Sequence, residues 1–447
     1  MQYAKCGAPR ITVRLDPLGV PCSECRQKEA VVHLRYARKR LCASCFSDFF
    51  VRRVRRTVER YRMFGPQDRV AVAVSGGKDS VALLHALKRA FPNQDLLAVY
   101  LNLGIAYYSD HLEAKVRKLT EDLRVPLVVY SVPQEEGYRM DDFLATRYRH
   151  KMCSVCGAIK RHLFSKVARE HDATVLATGH NLDDTVGTML SAFFAGDLES
   201  IQRLKPVLPP LIPGQARKVK PLIHTPERED LYYVLLNRLP VQECNCPHGS
   251  GSSVHRYKAL LDNLETQNPN VKHQLLAVFL KKLVPLIPQR EPGPQQVQAC
   301  RQCGEPTSSS EGLCARCRRV ALLRSAPSTL PLELDPEALL TNSAPQPLIL
   351  LDVRSQEEYE ENHLEGALHV PAEALEEDPR RASRPLRPWK RSHYLLVYCN
   401  TGRSSYAVTV KLRNLGFRAM NLRGGLQALQ RAQVFHRLAQ QFPNPSP

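Results

Sequence analysis

Apolar residues in the first two thirds of the chain alternate between short unbroken runs and helical repeats. The runs predict strands, and the repeats between them predict helices. The predicted strands are 69–75, 96–101, 126–132 and 173–179, and the predicted helices are 79–90, 110–123, 157–171 and 182–195. This alternation indicates a parallel sheet covered on both faces, with ligands bound at the carboxyl ends of the strands.

Changes in this pattern divide the 447 residues into six parts. They are a tail (1–20), a cysteine-rich lobe with a basic helix (21–64), the alternating domain (65–290), a second cysteine-rich lobe (298–320), a linker (325–347) and a further unit (348–440). The fold class is therefore α/β: a parallel-sheet domain flanked by two small lobes, followed by a second α/β domain.

No part of the chain has the pattern of a membrane anchor. We find no run of about 18 uncharged apolar residues, the length that a membrane-spanning helix requires. The first residues, Met1 to Cys6, lack the apolar core of a signal peptide. We therefore expect a cytoplasmic protein that does not associate with membranes.

The net charge of +19 is concentrated near the N-terminus. Residues 1–64 contain 15 Lys and Arg against 5 Asp and Glu, with Arg52, Arg53, Arg55 and Arg56 together on the predicted basic helix. A basic surface of this kind suits a polyanion, and nucleic acid is the simplest candidate. A solvated basic helix has the same composition, so charge alone leaves both interpretations open.

The loop after the first predicted strand has the features of a phosphate site. Its candidate nucleotide-binding residues are Ser75, Gly76, Gly77, Lys78, Asp79 and Ser80. Backbone N–H groups at a helix N-terminus and the Lys78 charge favour an anion there, and the glycines let phosphate approach the chain. The spacing differs from that of the usual ATPase P-loop. It is similar to the PP-loop of enzymes that split ATP between the α- and β-phosphates; the alternative is an ordinary glycine-rich turn.

Ten of the 14 cysteines form five Cys-x-x-Cys pairs. In a cytosolic chain this spacing indicates metal binding or catalysis rather than disulfides. Two sets of four thiolates predict structural Zn²⁺ sites, since lobes of this size have too little core to fold without metal. The two sets are Cys22, Cys25, Cys42 and Cys45, and Cys300, Cys303, Cys314 and Cys317.

The remaining pair, Cys153 and Cys156, has no second pair nearby, only Cys244 and Cys246 far downstream. Three cysteines close to the PP-loop suit a 4Fe-4S cluster with one open iron. Alternatively, Cys153 or Cys156 acts as a persulfide carrier or disulfide partner, and Zn²⁺ is a third possibility. Spacing alone does not separate these interpretations.

A second polar motif, Gly179-His180-Asn181-Leu182-Asp183-Asp184-Thr185, lies at the end of the fourth predicted strand. Two carboxylates at this edge of the sheet could hold Mg²⁺ for ATP or assist proton transfer. The alternative is that Asp183 or Asp184 caps the following helix.

Several of these motifs together resemble one family, the TtuA-type tRNA 2-thiouridine synthetases of the wider TtcA group. The resemblance rests on the cysteine knuckles at both ends, the Ser75–Ser80 loop, Cys153–Gly157 with Lys160, and Gly179–Thr185. It covers residues 20–320. The loop alone would also fit tRNA lysidine synthetase or GMP synthetase, which lack the paired knuckles.

The resemblance implies a reaction and a set of site residues. ATP would bind at Ser75–Ser80 together with Gly179 and Asp183, and a tRNA uridine would be adenylated at its C2 oxygen. Sulfur held at the cluster would then replace that oxygen. The implied cluster ligands are Cys153, Cys156 and either Cys244 or Cys246, with a slight preference for Cys246, and the implied catalytic groups are Lys160 and Asp184.

The C-terminal unit resembles a rhodanese domain. Asp352-Val353-Arg354 matches its opening strand, Cys399–Ser405 its active loop and Gly424-Gly425 its closing motif. Loop N–H groups, the helix dipole and Arg403 favour a thiolate or persulfide at Cys399. A related phosphatase loop needs arginine at position 405, where this chain has serine, so sulfur transfer is favoured. A catalytically inactive interaction module is the alternative.

The function that this combination predicts is ATP-dependent tRNA 2-thiolation, with sulfur relayed by the fused rhodanese domain through Cys399. The expected partners are tRNA and a sulfur donor: a persulfide, thiosulfate or a ubiquitin-like carrier. The resemblance also makes a homodimer a plausible assembly. Two alternatives remain open, a cluster-independent persulfide thiolase and a zinc-dependent RNA-binding or sulfur-trafficking scaffold.

Overall fold

A six-stranded sheet forms the centre of the molecule. The computed structural model describes residues 2–3, 11–12, 15–241, 246–249, 253–286, 297–325, 330–341 and 343–431. In spatial order the strands are Leu127–Ser131, Leu96–Asn102, Val70–Ala73, Val175–Ala177, Arg217–Val219 and Val207–Leu208. The first five run parallel and the last pairs antiparallel. The four predicted strands are therefore confirmed, and Cys6 and Cys244 lie outside the described residues.

Helices cover both faces of this sheet, as its continuously apolar strands require. The four main ones are Lys78–Ala90, Ser109–Leu123, Met152–Glu170 and Leu182–Phe194, with shorter helices at Val132–Glu136, Met140–Ala145, Arg147–Lys151 and Leu198–Gln202. Three of the four match the sequence prediction to within one residue. Met152–Glu170 instead begins five residues before the predicted start at 157, so Cys153 and Cys156 lie on its first two turns.

The described part of the segment after the sheet, from residue 227 to 286, is mainly helical. Its elements are Glu227–Leu236, Ser253–Gln267, Val271–Val278, a π-helical turn at Phe279–Leu283 and Val284–Leu286. Leu261, Leu276 and Phe279 pack against Leu182 and Val186 of the helix at the sheet edge. This contact fixes the position of the helix that carries the Asp183-Asp184 motif.

Two small lobes flank the sheet domain. The first pairs Val32–Leu34 with Lys39–Leu41 and leads into the basic helix Ala43–Arg60; the second pairs Gln298–Ala299 with Pro306–Thr307 and ends in Ala315–Arg324. The basic helix buries Phe46, Phe50 and Val54, and the ring of Phe50 stacks on Tyr233 at 4.1 Å between centroids. Its apolar face thus joins the first lobe to the main core.

The C-terminal domain contains five parallel strands. In spatial order they are Glu333–Leu334, Arg418–Leu422, Tyr394–Tyr398, Leu348–Asp352 and Leu368–His369. Its helical segments are Pro336–Leu340, Gln356–Glu361, Ala372–Glu377, Pro379–Ala382, Arg384–Trp389, Arg403–Asn414 and Gly425–Arg431. The edge strand Glu333–Leu334 falls within the segment predicted as a linker, 325–347, so this domain starts before residue 348.

Among the described residues, every helix is too short or too polar to cross a membrane.

His162 should make the stability of the sheet domain depend on pH. Burial, with the neighbouring Arg316 charge, lowers the pKa of His162 to about 4. Because the unfolded chain takes up this proton near pH 6.5, stability is lost as the pH falls from 6.5 towards 4, by up to about 3 kcal/mol. We expect His162→Gln to flatten the dependence of urea-unfolding free energy on pH in this window. An unchanged slope would contradict this assignment.

Candidate active site

The Ser75–Ser80 loop folds as a cradle at the carboxyl end of strand Val70–Ala73. Gly76 has a φ of +79°, which few residues other than glycine adopt. The Ser80 hydroxyl accepts a hydrogen bond from the Ser75 amide at 3.0 Å and donates to the Gly77 carbonyl at 3.0 Å. These bonds close the loop on itself and present its backbone at the N-terminus of helix Lys78–Ala90.

Lys78 is the charged group at the centre of this cradle. It is only 1% exposed, and its ammonium lies 2.9 Å from Asp79 and 2.7 Å from Glu227. Glu227 also accepts from Lys258 at 2.7 Å, and Lys258 pairs with Asp184. A buried lysine requires such partners, because an unpaired buried charge is costly. The Lys78 charge is thus held in place before any nucleotide enters.

The Gly179–Asp184 motif lies directly against the loop. A Cβ on Gly179 would come within 3.1 Å of the Ser80 backbone nitrogen, so only glycine lets the two segments approach this closely. Asn181, rather than Asp183 or Asp184, is the N-cap of helix Leu182–Phe194; its side chain accepts from the Asp184 amide at 2.9 Å. The alternative of capping by Asp183 or Asp184 therefore holds in part, since the Asp184 carboxylate accepts from the Asn181 amide at 3.4 Å and completes the capping box.

Asp183 is buried, and both of its carboxylate oxygens accept hydrogen bonds. Its carboxylate accepts from the Glu227 amide at 2.7 Å and from the Lys272 ammonium at 2.6 Å. Lys272 in turn contacts Asp262 and Glu265. This position supports a structural role in holding helix Glu227–Leu236 beside the loop, whereas Asp184, which is half-buried, remains the better candidate for contact with a nucleotide or metal.

Sequence reasoning missed two acidic residues of this site, Glu227 and Asp230. Both lie on one helix and face the loop; Asn181 donates to Asp230 at 3.1 Å and to Asp79 at 3.2 Å. Burial, reinforced by the Asp79 charge, raises the pKa of Asp230 well above its usual range. The spacing of three residues places the pair on one helical face, but nothing in the sequence indicates which surface that face meets.

The Cys153–Cys156 pair also lies at this edge of the sheet. Helix Met152–Glu170 runs antiparallel to the strand that follows it, so its first turns lie at the carboxyl end of the sheet. The Cys153 thiol is 3.8 Å from the His248 carbonyl, which brings the Cys246 segment against the pair. Lys160 follows one turn after Cys156 and is half-buried. The contact of Cys153 with His248 thus brings the segment that contains Cys246 close to the Cys153–Cys156 pair.

Both four-cysteine sets form compact groups. Within each set the sulfur atoms all lie within 4.8 Å of one another. Cys25 and Cys42 sulfurs are 3.8 Å apart, and those of Cys303 and Cys314 are 3.7 Å apart. A tetrahedral ion with bonds of about 2.3 Å requires sulfur separations near these values. Each set can therefore hold one metal ion with four protein ligands.

The two metal sites share an electrostatic feature. Burial opposes ionisation of Cys22 and Cys300, but backbone N–H groups donate to their sulfurs and lower the pKa of each thiol to about 6. At neutral pH each site thus contains a ready thiolate, the form that binds metal.

The rhodanese-like domain places Cys399 at the carboxyl end of strand Tyr394–Tyr398. The Cys399 sulfur accepts from the Ser405 hydroxyl at 3.3 Å and from its amide at 3.5 Å. This loop suits a sulfur anion, as the sequence predicted. Arg403 is oriented differently from the expectation: its guanidinium is exposed and donates to the Tyr107 carbonyl at 3.5 Å, in the sheet domain.

The basic helix does not present all its arginines to solvent. Arg53 lies 2.8 Å from Glu229, and the Arg53 guanidinium packs inside the protein. Arg52 pairs with Glu24 at 3.1 Å, whereas Arg56 is exposed. The predicted cluster of four arginines is therefore divided, and Arg53 belongs to the interior.

The fold and its loops define a PP-loop ATP-binding protein that carries a rhodanese domain. A PP-loop domain model matches residues 49–233, and a rhodanese-like domain model matches residues 335–432. A tRNA-5-methyluridine(54) 2-sulfurtransferase of Thermus thermophilus is 35% identical over 66% of this chain and 90% of its own length. The enzyme of the same name from Pyrococcus horikoshii is 32% identical over 66% of this chain and 92% of its own. The chain belongs to this family of tRNA 2-sulfurtransferases.

A solved structure extends the comparison. The U34-tRNA thiolase NcsA from Methanococcus maripaludis, determined with its [4Fe-4S] cluster, aligns with a TM-score of 0.58 and 25% identity, over 70% of this chain and 98% of its own.

Proposed function

We propose that this protein is an ATP-dependent tRNA sulfurtransferase that replaces the C2 oxygen of a uridine with sulfur. The proposal is supported by the PP-loop cradle at the carboxyl end of the sheet and by the contact of Cys153 with His248, which brings the Cys246 segment to the Cys153–Cys156 pair. The relatives act, by name, on tRNA at position 54 or 34. A loop that binds ATP would activate the uridine oxygen, and a nearby set of thiolates would supply the sulfur that replaces it.

The chain's own residues account for the activation step. Backbone N–H groups of Gly76 and Gly77 and the Lys78 ammonium would hold the phosphates. The uridine C2 oxygen attacks the α-phosphorus, pyrophosphate leaves, and the oxygen becomes part of an AMP leaving group. Lys160 and Asp184 are the candidate catalytic groups, and the acidic side chains beside the cradle suit a Mg²⁺ ion bound with ATP.

The three thiolates fit the iron–sulfur group that the NcsA structure contains. Cysteine thiolates are the donors such clusters prefer, and Cys246 is brought to the pair through the contact between Cys153 and His248. A cluster held by Cys153, Cys156 and Cys246 would supply an iron without a protein ligand, suited to binding sulfide. The donor set is therefore consistent with a [4Fe-4S] cluster.

Cys399 would supply the sulfur. Its thiolate attacks the outer sulfur of thiosulfate, so that the sulfur–sulfur bond of thiosulfate breaks, sulfite leaves and a Cys399 persulfide forms without net oxidation. A dithiol reductant then provides two electrons, becoming a disulfide and releasing the sulfane sulfur as sulfide. Sulfide displaces AMP from C2 of the adenylated uridine, which leaves a thiocarbonyl.

The tRNA surface is proposed for the exposed side of the basic helix. We expect charge reversal at Arg56 and Arg60 to weaken tRNA binding about tenfold, with ATP binding unchanged, because lost phosphate contacts also reduce counterion release. Filter binding at several salt concentrations measures both effects, with Lys118→Glu on another helix as the matched control. Equal weakening by the control, or none by the pair, would place the RNA elsewhere.

The two four-cysteine groups are proposed to hold zinc. We expect metal analysis of the purified protein to give about two zinc ions per chain, and Cys22→Ser to give about one, since a structural zinc site needs all four ligands. Iron in these sites in place of zinc would contradict the proposal.

The proposed activity is tested by mass spectrometry of nucleosides from total tRNA, with and without the gene. Loss of one 2-thiouridine derivative is expected, and mapping it onto the tRNA identifies the position. An unchanged set of thionucleosides would overturn the proposal in favour of an RNA-binding or sulfur-trafficking scaffold.

A further inference from the structure

The active loop of the rhodanese-like domain is docked on the loop that follows strand Leu96–Asn102. The Gly424 amide donates to the Tyr107 hydroxyl at 3.2 Å, and Arg403 donates to the Tyr107 carbonyl. A Cβ on Gly402 would come within 2.9 Å of the Tyr107 hydroxyl, so a glycine here admits the tyrosine. Both loops follow parallel strands, so the carboxyl edges of the two sheets, where each domain has its chemistry, meet.

One buried carboxylate, that of Asp141, connects both domains at this contact. Asp141 accepts from the Tyr406 hydroxyl and from the Ala106 amide at 3.3 Å, and its other oxygen lies 2.5 Å from His248 Nε2. Asp141, Tyr406 and His248 are 9%, 0% and 4% exposed. Burial, with the Asp141 charge, raises the pKa of Tyr406 well above its usual range, so its hydroxyl keeps its proton and donates.

The same contacts lead to the cysteines on both sides. Tyr406 directly follows Ser405, whose hydroxyl contacts the Cys399 sulfur. His248 comes two residues after Cys246, and its carbonyl contacts Cys153. Tyr406 and Val410 also pack in one apolar cluster with Met152 and Val155, the helix turns that carry the cysteine pair. A short series of side chains therefore joins the sulfur-accepting loop to the predicted thiolation site.

An arrangement of this kind is more than a chance contact between tethered domains. Separating the domains would break the hydrogen bond from the Tyr406 hydroxyl to the Asp141 carboxylate, and hydrogen bonds to charged groups contribute more than those between neutral groups. It would also expose the apolar faces of Tyr406 and Val410. The docked state is thus specified by groups from both domains.

We propose that Tyr107, Asp141 and Tyr406 form a docking junction that positions the Cys399 loop to deliver sulfur to the cysteine site of its own chain. The proposal rests on the proposed function and assigns it a delivery surface. These three are positioning residues: they hold the donor loop and take no part in breaking or forming bonds to sulfur.

Tyr406→Phe tests the junction because it removes one hydroxyl and keeps the ring. With thiosulfate as the sulfur source, we expect tRNA thiolation by the full-length protein to fall about tenfold, since small misplacements of reacting groups have effects of this size. With sulfide supplied directly, thiolation should match the unmodified protein. Thiosulfate-to-cyanide sulfur transfer, which needs only Cys399, should also be unchanged. Tyr107→Ala should reproduce this pattern.

Tyr359→Phe is the matched control, since its hydroxyl bonds to the Ala367 carbonyl at 2.8 Å within the same domain. Full thiosulfate-driven thiolation by Tyr406→Phe and Tyr107→Ala would overturn the junction, and so would an equal fall with sulfide, which would indicate a purely structural role. Full thiosulfate-driven thiolation by Cys399→Ser would instead contradict the sulfur relay itself, so the two failures are distinguishable.

Delivery within one chain gives a second test. A mixture of Cys399→Ser and Cys156→Ser proteins should be at least about tenfold less active with thiosulfate than the same amount of unmodified protein, because sulfide released by one chain is diluted before it reaches the other. Recovery of activity in the mixture would show delivery between chains and overturn the proposal that the junction serves its own chain.

Discussion

Cys156→Ser is expected to abolish tRNA 2-thiolation while leaving adenylation intact. Cys156 is one of the thiolates that we propose to receive sulfur, whereas the Ser75–Ser80 cradle is built from other segments and should stay folded. Thiolation should fall at least about 100-fold, because loss of a hydrogen-bond partner to a metal ligand already costs about 10- to 100-fold and Cys156 is a proposed ligand itself. tRNA-dependent pyrophosphate release should stay close to that of the unmodified protein.

The matched control for this variant is Ser154→Ala, an exposed neighbour on the same helix turn. Both activities should survive that change. Full thiolation by Cys156→Ser would remove this cysteine from the sulfur site, and loss of pyrophosphate release would show that the cysteine site and the ATP site are not separable.

The second large effect is expected at Cys399. Cys399→Ser removes the nucleophile that we propose to take sulfur from thiosulfate, so thiosulfate-driven thiolation should fall at least about 100-fold. Sulfide-driven thiolation should be unaffected, because sulfide does not need the rhodanese-like domain. The pair of assays therefore separates supply of sulfur from its use.

Serine is similar in size to cysteine, so Cys399→Ser should preserve the packing of Ser405 against this side chain. Thr401→Ala, an exposed position in the same loop, is the control. If the Cys399 variant worked equally well with both sulfur sources, the domain would have an interaction role rather than a chemical one.

Local patterns were sufficient to predict the architecture. Apolar runs indicated the four central strands, and the Ser75–Ser80 turn with its two glycines indicated the cradle, because both depend on neighbours in sequence. The cysteine spacings predicted two four-sulfur groups for the same reason. Each of these features is specified within a few tens of residues.

Features that depend on packing between distant segments of the chain could not be predicted from local sequence patterns. Glu227 and Asp230 reach the loop only because helix Glu227–Leu236 packs against it, about 150 residues further along the chain. The sequence predicted Arg53 on a basic surface, but its ion pair with Glu229 holds its side chain in the protein interior. Asp141 could not be identified from the sequence, since its partners Ala106, His248 and Tyr406 lie in three other segments of the fold.

Attachment of the rhodanese-like domain to the same chain also changes the kinetics of sulfur supply. A tethered reactant meets its target at an effective concentration, typically about millimolar, that does not depend on how much protein is present. Sulfur use should therefore remain efficient in dilute protein.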